Sequence, residues 1–389
     1  MHEPGNIEPP SPEHGDRDTL AGAKLTIDLD ALAANWKSLD QRSGAAECGA
    51  AVKGNGYGIG LEQAVGALTA AGCRTFFVAL PDEGIRARQV SDGARIFVLN
   101  GLMKGAGDEL LRHNLLPVLG SVEETVEWRE LAGRHGRPLP AALHVDTGMN
   151  RLGMSESEAR SLVSDSDNFK GVNLQLIVSH LACGSTPDHS LNVCQQSVFR
   201  NIRDIFPAIH GSLANSAGIF LGSGYHHDLV RPGISLYGGA ALDDHLRSNP
   251  MRPVVKVEAR ILQIRTVPTG EGIGYGSAEC AKRDSKVAIV GAGYADGYHR
   301  RAGSSDTERG AFGYFRQQKV PVIGRVSMDL TAFDITDCLE TRPERGDWIT
   351  MLGGDAALGA VAACAQTIDY ELLTGLGSRY SRHYISAAS

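Results

Sequence analysis

Short apolar runs alternate with helical stretches along the chain from Lys24 to about Leu246. Runs such as TFFVAL and RIFVLN have the length and composition of buried strands, and each is followed by a segment such as DEGIRARQV that suits a helix. This order repeats about eight times, which predicts parallel strands covered by helices. The roughly 220 residues involved fit a (β/α)8 barrel of the α/β class, whose usual size is ~250 residues. An open, doubly wound sheet is the alternative.

A different pattern begins after Asn249-Pro250. The segments VVKVEARILQIRTV, SKVAIVGAG and GDWITMLG alternate apolar and polar residues with little helix between them, which is typical of a mostly antiparallel β domain. One later segment, AALGAVAACAQTIDYELLTGLG, suits a helix. The sequence therefore predicts a disordered tail at residues 1–22, a barrel at 23–248 and a C-terminal β domain at 249–389.

Charge balance and the lack of long apolar runs narrow the possible partners. The 389 residues include 38 Lys and Arg against 45 Asp and Glu, a formal net charge of −7. Basic residues form no run, which argues against nucleic-acid binding. No apolar run approaches the ~18 residues of a membrane-spanning helix, and the first residues lack the apolar stretch of a secretory signal. These observations predict a cytoplasmic protein without a nucleic-acid or membrane partner.

Cysteine and glycine usage adds two expectations. The seven cysteines are scattered without a C-x-x-C pair, so free thiols are expected rather than disulfides or zinc ligands, and no metal site is predicted. Glycine is unusually frequent, with 47 residues in 389, well above the usual ~7%. Much of this glycine lies in predicted strand-end loops, where bare backbone lets a ligand come close.

The first candidate for chemistry is Lys53, in the segment GAAVKGNGYGIG at residues 49–60. It follows an apolar strand at the end where barrel enzymes place catalytic groups, and a glycine-rich loop with Tyr57 comes after it. A lysine in such low-dielectric surroundings has a lowered pKa, which suits Schiff-base formation. A solvated lysine at a strand end is the alternative.

Two further strand ends carry Arg151 and His180. The segment LHVDTGMNRLGM runs from a strand into a glycine turn with Arg151, a side chain suited to a carboxylate or phenolate. A surface pair with Glu156 or Glu158 is the alternative for this arginine. His180 follows the buried strand of IVSHLACGS, where a satisfied core histidine is the alternative.

The segment LANSAGIFLGSGYHHDLVRPGISLYG, residues 213–238, predicts a phosphate site. It supplies the hydroxyl of Ser216 and, after Arg231, the backbone amides of Gly233 and Ile234. Loops that follow the last strands of a barrel commonly hold phosphate in this way. An ordinary turn is the alternative.

Glycine-rich loops of the β domain carry Tyr275, Tyr294 and Met328, in the motifs EGIGYG, GAGYADGYHR and GRVSMD. These loops are candidate binding edges, although a tyrosine in a β domain usually serves packing. The sequence contains no exact G-x-G-x-x-G and no P-loop, so dinucleotide binding is not predicted.

In this order, the motifs resemble those of the bacterial alanine racemases, two-domain enzymes that use pyridoxal 5′-phosphate on a barrel. The resemblance runs in register from about Lys24 to Tyr384. It implies the same fold, the cofactor pyridoxal 5′-phosphate, and interconversion of L- and D-alanine that supplies D-alanine for peptidoglycan. It also implies an obligate head-to-tail homodimer with two composite active sites.

The resemblance gives each candidate residue a role. Lys53 would bind the cofactor covalently and act as a base on one face of the substrate, while Tyr275 of the second subunit acts on the other. Arg231 would face the pyridine nitrogen, with His180 hydrogen-bonded to Arg231 and to Tyr275. The remaining implied roles are phosphate binding by Tyr57, Ser216, Gly233 and Ile234, carboxylate binding by Arg151 and Met328, and lining of the substrate entrance by Tyr294.

The chain departs from the family pattern at three places. Gly54 and Gly56 stand where many members have alanine, within a loop that also has Ile59 in place of histidine. His144 stands where some members carry a carbamylated lysine that orients the arginine, so Arg151 must be oriented otherwise. At the C-terminus, where a tyrosine often reaches the phosphate, the sequence offers Tyr380, but a gapless match places Ser378 there.

Other readings of the same motifs remain open at this stage. The closest is a serine or broad-specificity amino-acid racemase, because one methylene in a pocket is worth only ~1–3 kcal/mol. A decarboxylase on this fold would need an acidic partner at the pyridine nitrogen, which Arg231 argues against. A non-enzymatic pyridoxal-phosphate carrier would lack the β domain with Tyr275.

Overall fold

The structure is a computed structural model that describes residues 18–164, 169–243 and 249–386. These residues divide into two compact units. The first, called the α/β unit, contains Asp28–Val254 and Asp369–Thr374. The second, called the β unit, contains the described residues up to Ile27, Val255–Ile368 and Gly375–Ile385. Within the described part of the chain, no helix is both long and apolar enough to cross a membrane.

Seven strands of the α/β unit form one parallel sheet in chain order. An additional strand, Leu229–Val230, pairs in parallel with Glu47–Cys48, which comes just before the first of the seven. On its other side, Arg231 bridges Asn215 beyond the seventh strand. The strands therefore curl into a barrel, as predicted, and the open doubly wound sheet is wrong. The seven strands are Ala50–Ala51, Thr75–Val78, Arg95–Val98, Leu116–Leu119, Leu139–His144, Val172–Val178 and His210–Ser212.

Several barrel strands, such as Thr75–Val78 and Leu116–Leu119, are buried along their whole length. All four residues of Thr75–Val78 are buried, and the rings of Phe77 and Phe97 stack with centroids 5.3 Å apart. A parallel strand covered on both faces needs a continuous apolar run rather than an alternating one. This explains why TFFV shows no period of two.

Helices follow the strands of the barrel. Their ends are specified locally: Val122–His135 begins after Ser121, whose hydroxyl accepts from the Glu124 amide at 3.2 Å, and it ends at Gly136 with φ of 63°. The other helices of the first part of the unit are Leu29–Ser43, Leu61–Ala71, Pro81–Val90, Gly107–Arg112, Glu156–Ser164, Ser190–Ile205 and Ser216–Leu221, and short 3-10 turns occur at Ser223–Tyr225 and Ile234–Tyr237.

A long strand, Val255–Val267, organises the β unit. It forms antiparallel pairs with Ala23–Asp28, Ser285–Val290 and Trp348–Leu352. The prediction of a mostly antiparallel β domain is therefore confirmed. The remaining strands are Gly272–Ile273, Glu279–Cys280, Phe312–Phe315, Gln318–Pro321, Thr331–Asp334 and Ser381–Ile385, and the helix of this unit is Leu358–Cys364.

The two units are not continuous in sequence, unlike the predicted segments 23–248 and 249–389. Residues 23–27 belong to the β unit, where Leu25 lies opposite Val257. Their alternating burial is that of an antiparallel strand with one covered face. The helix Asp369–Thr374 belongs to the α/β unit instead, and its Tyr370 ring lies 6.1 Å from that of Tyr57.

The predicted tail at residues 1–22 lies mostly outside the described residues. Its last part is described, and there Asp18 accepts hydrogen bonds at 2.6 Å from Ser381 Oγ and from His383 Nε2. The carbonyl of Gly22 accepts from the Arg260 amide at 2.8 Å. Residues 18–22 are thus tied to the β sheet rather than loose.

Candidate active site

A cavity of about 620 Å³ opens in the α/β unit. Its polar lining comes from the carboxyl ends of the barrel strands, where active sites of this fold lie. The structure brings together here every candidate that the sequence placed in the barrel. These residues are Lys53, Tyr57, His144, Arg151, His180, Ser216, Arg231, Gly233 and Ile234.

Lys53 lies just beyond the strand Ala50–Ala51. The strand end is fixed because the Val52 amide donates to the carbonyl of Phe77 at 2.9 Å. Burial lowers the pKa of the Lys53 amine, and the positive charge of Arg151 lowers it further. A larger share of this amine is therefore neutral at neutral pH than for a lysine in water.

The loop after Lys53 follows a left-handed path. The φ angles are 63° at Gly54, 54° at Asn55, 62° at Gly56 and 51° at Tyr57. Glycine adopts this region without strain and asparagine tolerates it, whereas a tyrosine there is strained. Such strain persists only where the surroundings impose it, typically at a functional site. The glycines that replace alanine in this loop relieve strain at two of the four positions.

A cradle of backbone amides forms around the Ser216 hydroxyl. Ser216 Oγ accepts from the amide of Gly233 at 2.8 Å and from that of Ser235 at 3.3 Å. A Cβ on Gly233 would lie 2.2 Å from Tyr57 Oη, so a side chain there would fill the cradle. The tyrosine ring is held in place by stacking on Tyr237 at 4.5 Å. This combination of hydroxyls and amides suits a phosphate group.

Arg231 is buried at the end of the last barrel strand, with 5% of its surface exposed. Its guanidinium donates to the carbonyls of Ser212 at 2.7 Å and Ser179 at 2.6 Å, and it lies 3.5 Å from His180 Nδ1. Burial lowers the pKa of Arg231 to about 9, which leaves it charged at neutral pH.

His180 is held neutral by its surroundings. Burial and then the positive charges of Arg231 and Arg151 move its pKa well below the ordinary value. Its Nε2 atom lies 3.4 Å from Asn215 Nδ2. The neutral ring contacts a charged guanidinium on one side, so it can relay a hydrogen bond without adding charge to the cavity.

Arg151 is exposed on a turn whose backbone is organised by Asp146. The Asp146 carboxylate accepts from the amides of Gly148, Met149 and Asn150 at 3.0, 2.8 and 3.0 Å. The sequence contained this aspartate in the motif HVDTGMNR but gave it no role. Asp146 therefore fixes the backbone of the turn that carries Arg151, and position 144 holds no acidic residue.

The charges that line the cavity all have one sign. His144 is neutral there, because burial and then the nearby Arg231 lower its pKa to about 4. Lys53, Arg151 and Arg231 carry the cationic groups, and the described lining residues include no Asp or Glu. The described residues also hold no group of three His, Cys, Asp or Glu that could bind a metal. The cavity therefore suits a ligand with more than one negative charge.

Tyr275, Tyr294 and Met328 lie on one surface of the β unit, called here the Tyr275 edge. Their exposed fractions are 69%, 42% and 53%. Backbone bonds from the Tyr294 amide to the Ser327 carbonyl at 3.0 Å and from the Ala295 amide to the Met328 carbonyl at 2.9 Å join the loops of Tyr294 and Met328. The Tyr275 loop lies beside the same segment, because a Cβ on Gly276 would lie 3.2 Å from Arg325 Nη1. Large apolar or aromatic side chains that lie exposed on neighbouring loops form a candidate interaction surface.

Two domain families match the chain in the order of its motifs. The family described as alanine racemase, N-terminal domain, matches residues 27–241, and the one described as alanine racemase, C-terminal domain, matches residues 254–384. The chain belongs to the alanine racemase family. The resemblance drawn from the motifs is thereby confirmed.

Related alanine racemases match almost the whole chain. Identity is 44% over 374 residues to the alanine racemase of Rhizobium meliloti, covering 95% of this chain and 98% of that one. A biosynthetic alanine racemase of Agrobacterium fabrum is 45% identical over 373 residues, with 94% and 95% covered. A catabolic alanine racemase of Mesorhizobium japonicum is 42% identical over 369 residues, with 95% and 94% covered.

Solved alanine racemase structures share the fold. The enzyme of Bartonella henselae, described with covalently bound pyridoxal phosphate, has a TM-score of 0.88 and 39% identity, covering 94% of this chain and all of that one (100%). The biosynthetic enzyme of Pseudomonas aeruginosa has a TM-score of 0.86 and 31% identity, with the same coverage of 94% and 100%. The predicted pairing of a barrel with a β domain is confirmed by both.

Two features of the chain were not predicted from the sequence. Arg379 ties the Tyr275 edge together, donating to both carboxylate oxygens of Asp296 and to Asp329, each at 2.7 Å. The C-terminal tyrosine that lines the cavity is Tyr370, whereas Tyr380 is buried in the β unit. The only signal for the first feature was a pair of aspartates in the motifs GYADG and SMD.

Proposed function

We propose that this chain interconverts L- and D-alanine with pyridoxal 5′-phosphate bound in the cavity of the α/β unit. Family membership supports the reaction, and one observation supports placing the reaction in this cavity. The Lys53 amine lies in a lining whose described residues include no Asp or Glu, beside the amide cradle at Ser216 and Gly233. A phosphate-bearing cofactor that reacts with an amine fits both halves of that arrangement.

The residues present fit the cofactor. Tyr57, Ser216 and the amides of Gly233 and Ile234 would hold its phosphate, in a cradle that any side chain at position 233 would fill. Lys53 would attach it covalently. When bound, the cofactor supplies an electron sink that makes the Cα–H bond of an amino acid acidic enough to ionise.

Lys53 is the proposed base on one face of the substrate. Only a neutral amine accepts a proton, and both burial and the charge of Arg151 favour that form by lowering the pKa. The same surroundings make the resulting ammonium group ready to give the proton back. Lys53 would therefore remove a proton from Cα or return one, depending on the direction of the reaction.

Arg231 would control the electronic demand of the site. Its pKa of about 9 keeps it protonated at neutral pH, and an arginine does not give its proton to a ring nitrogen. A cofactor ring nitrogen held next to Arg231 would stay unprotonated, which would limit how far negative charge spreads from Cα. This favours return of the proton to Cα over side reactions such as transamination.

Racemisation needs a second group that exchanges protons on the opposite face, and Tyr275 is proposed for it. A tyrosine with a reference pKa of ~10 needs help to act near neutral pH. The neutral His180, held against Arg231 at 3.5 Å, is proposed to give that help through a hydrogen bond. Arg151 and the amide of Met328 are proposed to hold the substrate carboxylate.

We propose a homodimer in which the Tyr275 edge of each chain completes the cavity of the other. The exposure of Tyr275, Tyr294 and Met328 in the single chain supports this arrangement, because a second copy would cover them. Tyr294 would line the substrate entrance. Two such contacts related by a two-fold axis close the assembly at a dimer.

Mixing two inactive variants tests the composite site. Lys53→Ala and Tyr275→Phe are each expected to lose racemase activity while remaining folded. Combined by co-expression, they should recover about a quarter of wild-type activity, because half of the dimers are mixed and each of those holds one intact site. If demonstrably mixed dimers recover no activity, the shared site is contradicted. If Tyr275→Phe alone keeps full activity, the two-base assignment is contradicted.

Supply of D-alanine for peptidoglycan is the role proposed for the product. The biosynthetic relatives support it, while the catabolic relative at 42% identity shows that the same fold also serves breakdown. A serine or broad-specificity racemase remains the alternative, and rates with L-alanine and L-serine distinguish the two. Growth of a deletion strain with and without D-alanine tests the role in the cell. A cytoplasmic location stays a prediction from the sequence.

A further inference from the structure

A glutamine without exposed surface, Gln195, lies on the helix Ser190–Ile205. Both amide hydrogens and the oxygen of its side chain are used. Nε2 donates to Thr147 Oγ1 at 3.1 Å and to the carbonyl of His180 at 2.8 Å, and Oε1 accepts from the Ala182 amide at 2.8 Å. The implied reaction has given this residue no task so far.

The three bonds grip the chain on both sides of one peptide segment. The carbonyl of His180 and the amide of Ala182 are bound by the same side chain, with Leu181 between them. The backbone that carries the His180 ring cannot tilt without breaking at least one of these bonds. Gln195 thus restrains the position of the backbone that carries the imidazole.

The same network reaches the turn of Arg151 and the guanidinium of Arg231. Thr147, which begins that turn, lies with its Oγ1 atom 2.8 Å from Ser179 Oγ. The Ser179 carbonyl accepts from Arg231 at 2.6 Å. A single buried amide therefore connects the supports of three groups that line the cavity.

We propose that Gln195 is a positioning residue, which holds His180 against Arg231 and keeps the Arg151 turn in place for the reaction. The inference rests on the proposed function of His180 and Arg151. The other inward positions of the helix, Asn192, Phe199 and Ile202, are all fully buried, and of these Phe199 and Ile202 are apolar. A buried amide is stable there because all its partners are supplied.

Loss of the grip should change the titration of His180 as well as its position. Away from Arg231 and closer to solvent, the imidazole would lose part of the burial and charge repulsion that lower its pKa. The acid limb of the kcat/KM profile should then move toward neutral pH. The groups whose charge acts on this ring are Arg231, Arg151, Lys53 and His144.

The test compares Gln195→Met with Gln196→Met, its neighbour on the same helix, which faces Gly224 instead. Methionine keeps the volume but leaves the His180 carbonyl and Ala182 amide unpaired. We expect kcat of Gln195→Met to fall about 10- to 100-fold, a loss typical of a small misplacement, with the acid limb shifted. Gln196→Met should keep the wild-type values of both.

A further measurement keeps the result decisive. Hydrogen exchange of the Ala182 amide in the cofactor-free protein should speed up in Gln195→Met but not in Gln196→Met. If wild type does not racemise alanine, the proposed function fails while amide exchange still decides the positioning. Equal exchange, or an activity loss without a shifted pH profile, overturns the inference.

Discussion

The cradle at Gly233 offers a test in which the structure gives the size of the perturbation. A Cβ at this position would lie 2.2 Å from Tyr57 Oη and 3.0 Å from its Cζ, whereas ordinary contacts begin near 3.4 Å. The substitution Gly233→Ala therefore requires a movement of more than 1 Å somewhere in the cradle. The substitution should weaken phosphate binding, because Gly233 and Tyr57, whose atoms would collide, both belong to the cradle.

The ring of Tyr57 has little freedom to move away from a Cβ at position 233. It is 6% exposed and stacks on Tyr237 at 4.5 Å, whose hydroxyl donates to the Ala51 carbonyl at 2.9 Å. Overpacking at a rigid site of this kind costs about 1–3 kcal/mol. If half or more of that appears in binding, the affinity for pyridoxal phosphate falls roughly 2- to 150-fold.

Titration of the cofactor-free protein with pyridoxal phosphate, followed by its absorbance, measures this affinity. Gly93→Ala is the matched control, because a Cβ there meets open space. The double variant Gly233→Ala/Tyr57→Phe lacks the colliding oxygen. Gly233→Ala should therefore lower the affinity less in the Tyr57→Phe background than in the wild-type background. Wild-type affinity in Gly233→Ala, with an unchanged unfolding temperature, would refute the placement of the phosphate.

Three other predictions follow from single features. Gly133→Ala, inside the helix Val122–His135 with open space around a Cβ, should raise the free energy of unfolding by ~0.5–1 kcal/mol in denaturant titration. Arg379→Met should lower the free energy of unfolding by about 1–3 kcal/mol, because buried Asp296 loses both bonds from the guanidinium and keeps the one from the Gly293 amide. It should also reduce racemase activity by loosening the Tyr275 edge. In the folded chain the pKa of His144 is lowered to about 4, so the unfolded chain binds a proton at this residue more readily. The contribution of neutral His144 to stability is therefore lost as the pH falls from ~6.5 toward 4. Over that range the free energy of unfolding should drop more steeply in wild type than in His144→Gln.

The sequence predicted those parts of the fold whose signals are local. The buried strand TFFV and the capped helix Val122–His135 follow from apolar runs and cap residues read over a few positions. The sequence pattern assigns residues 23–28 to the barrel. The strand Ala23–Asp28 instead pairs with Val255–Val267, which lies far away in the chain. The sequence of a half-buried strand of six residues does not indicate which sheet the strand joins.

The candidate site shows the same division. Lys53, Ser216 and Gly233 stand in glycine-rich loops at strand ends, where residue type and position both point to ligand binding. Gln195 and Arg379 are ordinary polar residues in sequence terms, and they matter only through partners 13 or more positions away, such as Ala182 and Asp296. Hydrogen-bond networks of this kind become visible only once the fold brings their members together.

The most direct measurement of the central claim is the loss of optical activity of L-alanine in the presence of the purified chain and pyridoxal 5′-phosphate. The account predicts that the signal decays to zero from either enantiomer, that alanine is turned over faster than serine, lysine or arginine, and that Lys53→Ala abolishes the decay. A folded, cofactor-loaded wild-type protein that leaves both enantiomers of alanine unchanged would contradict it.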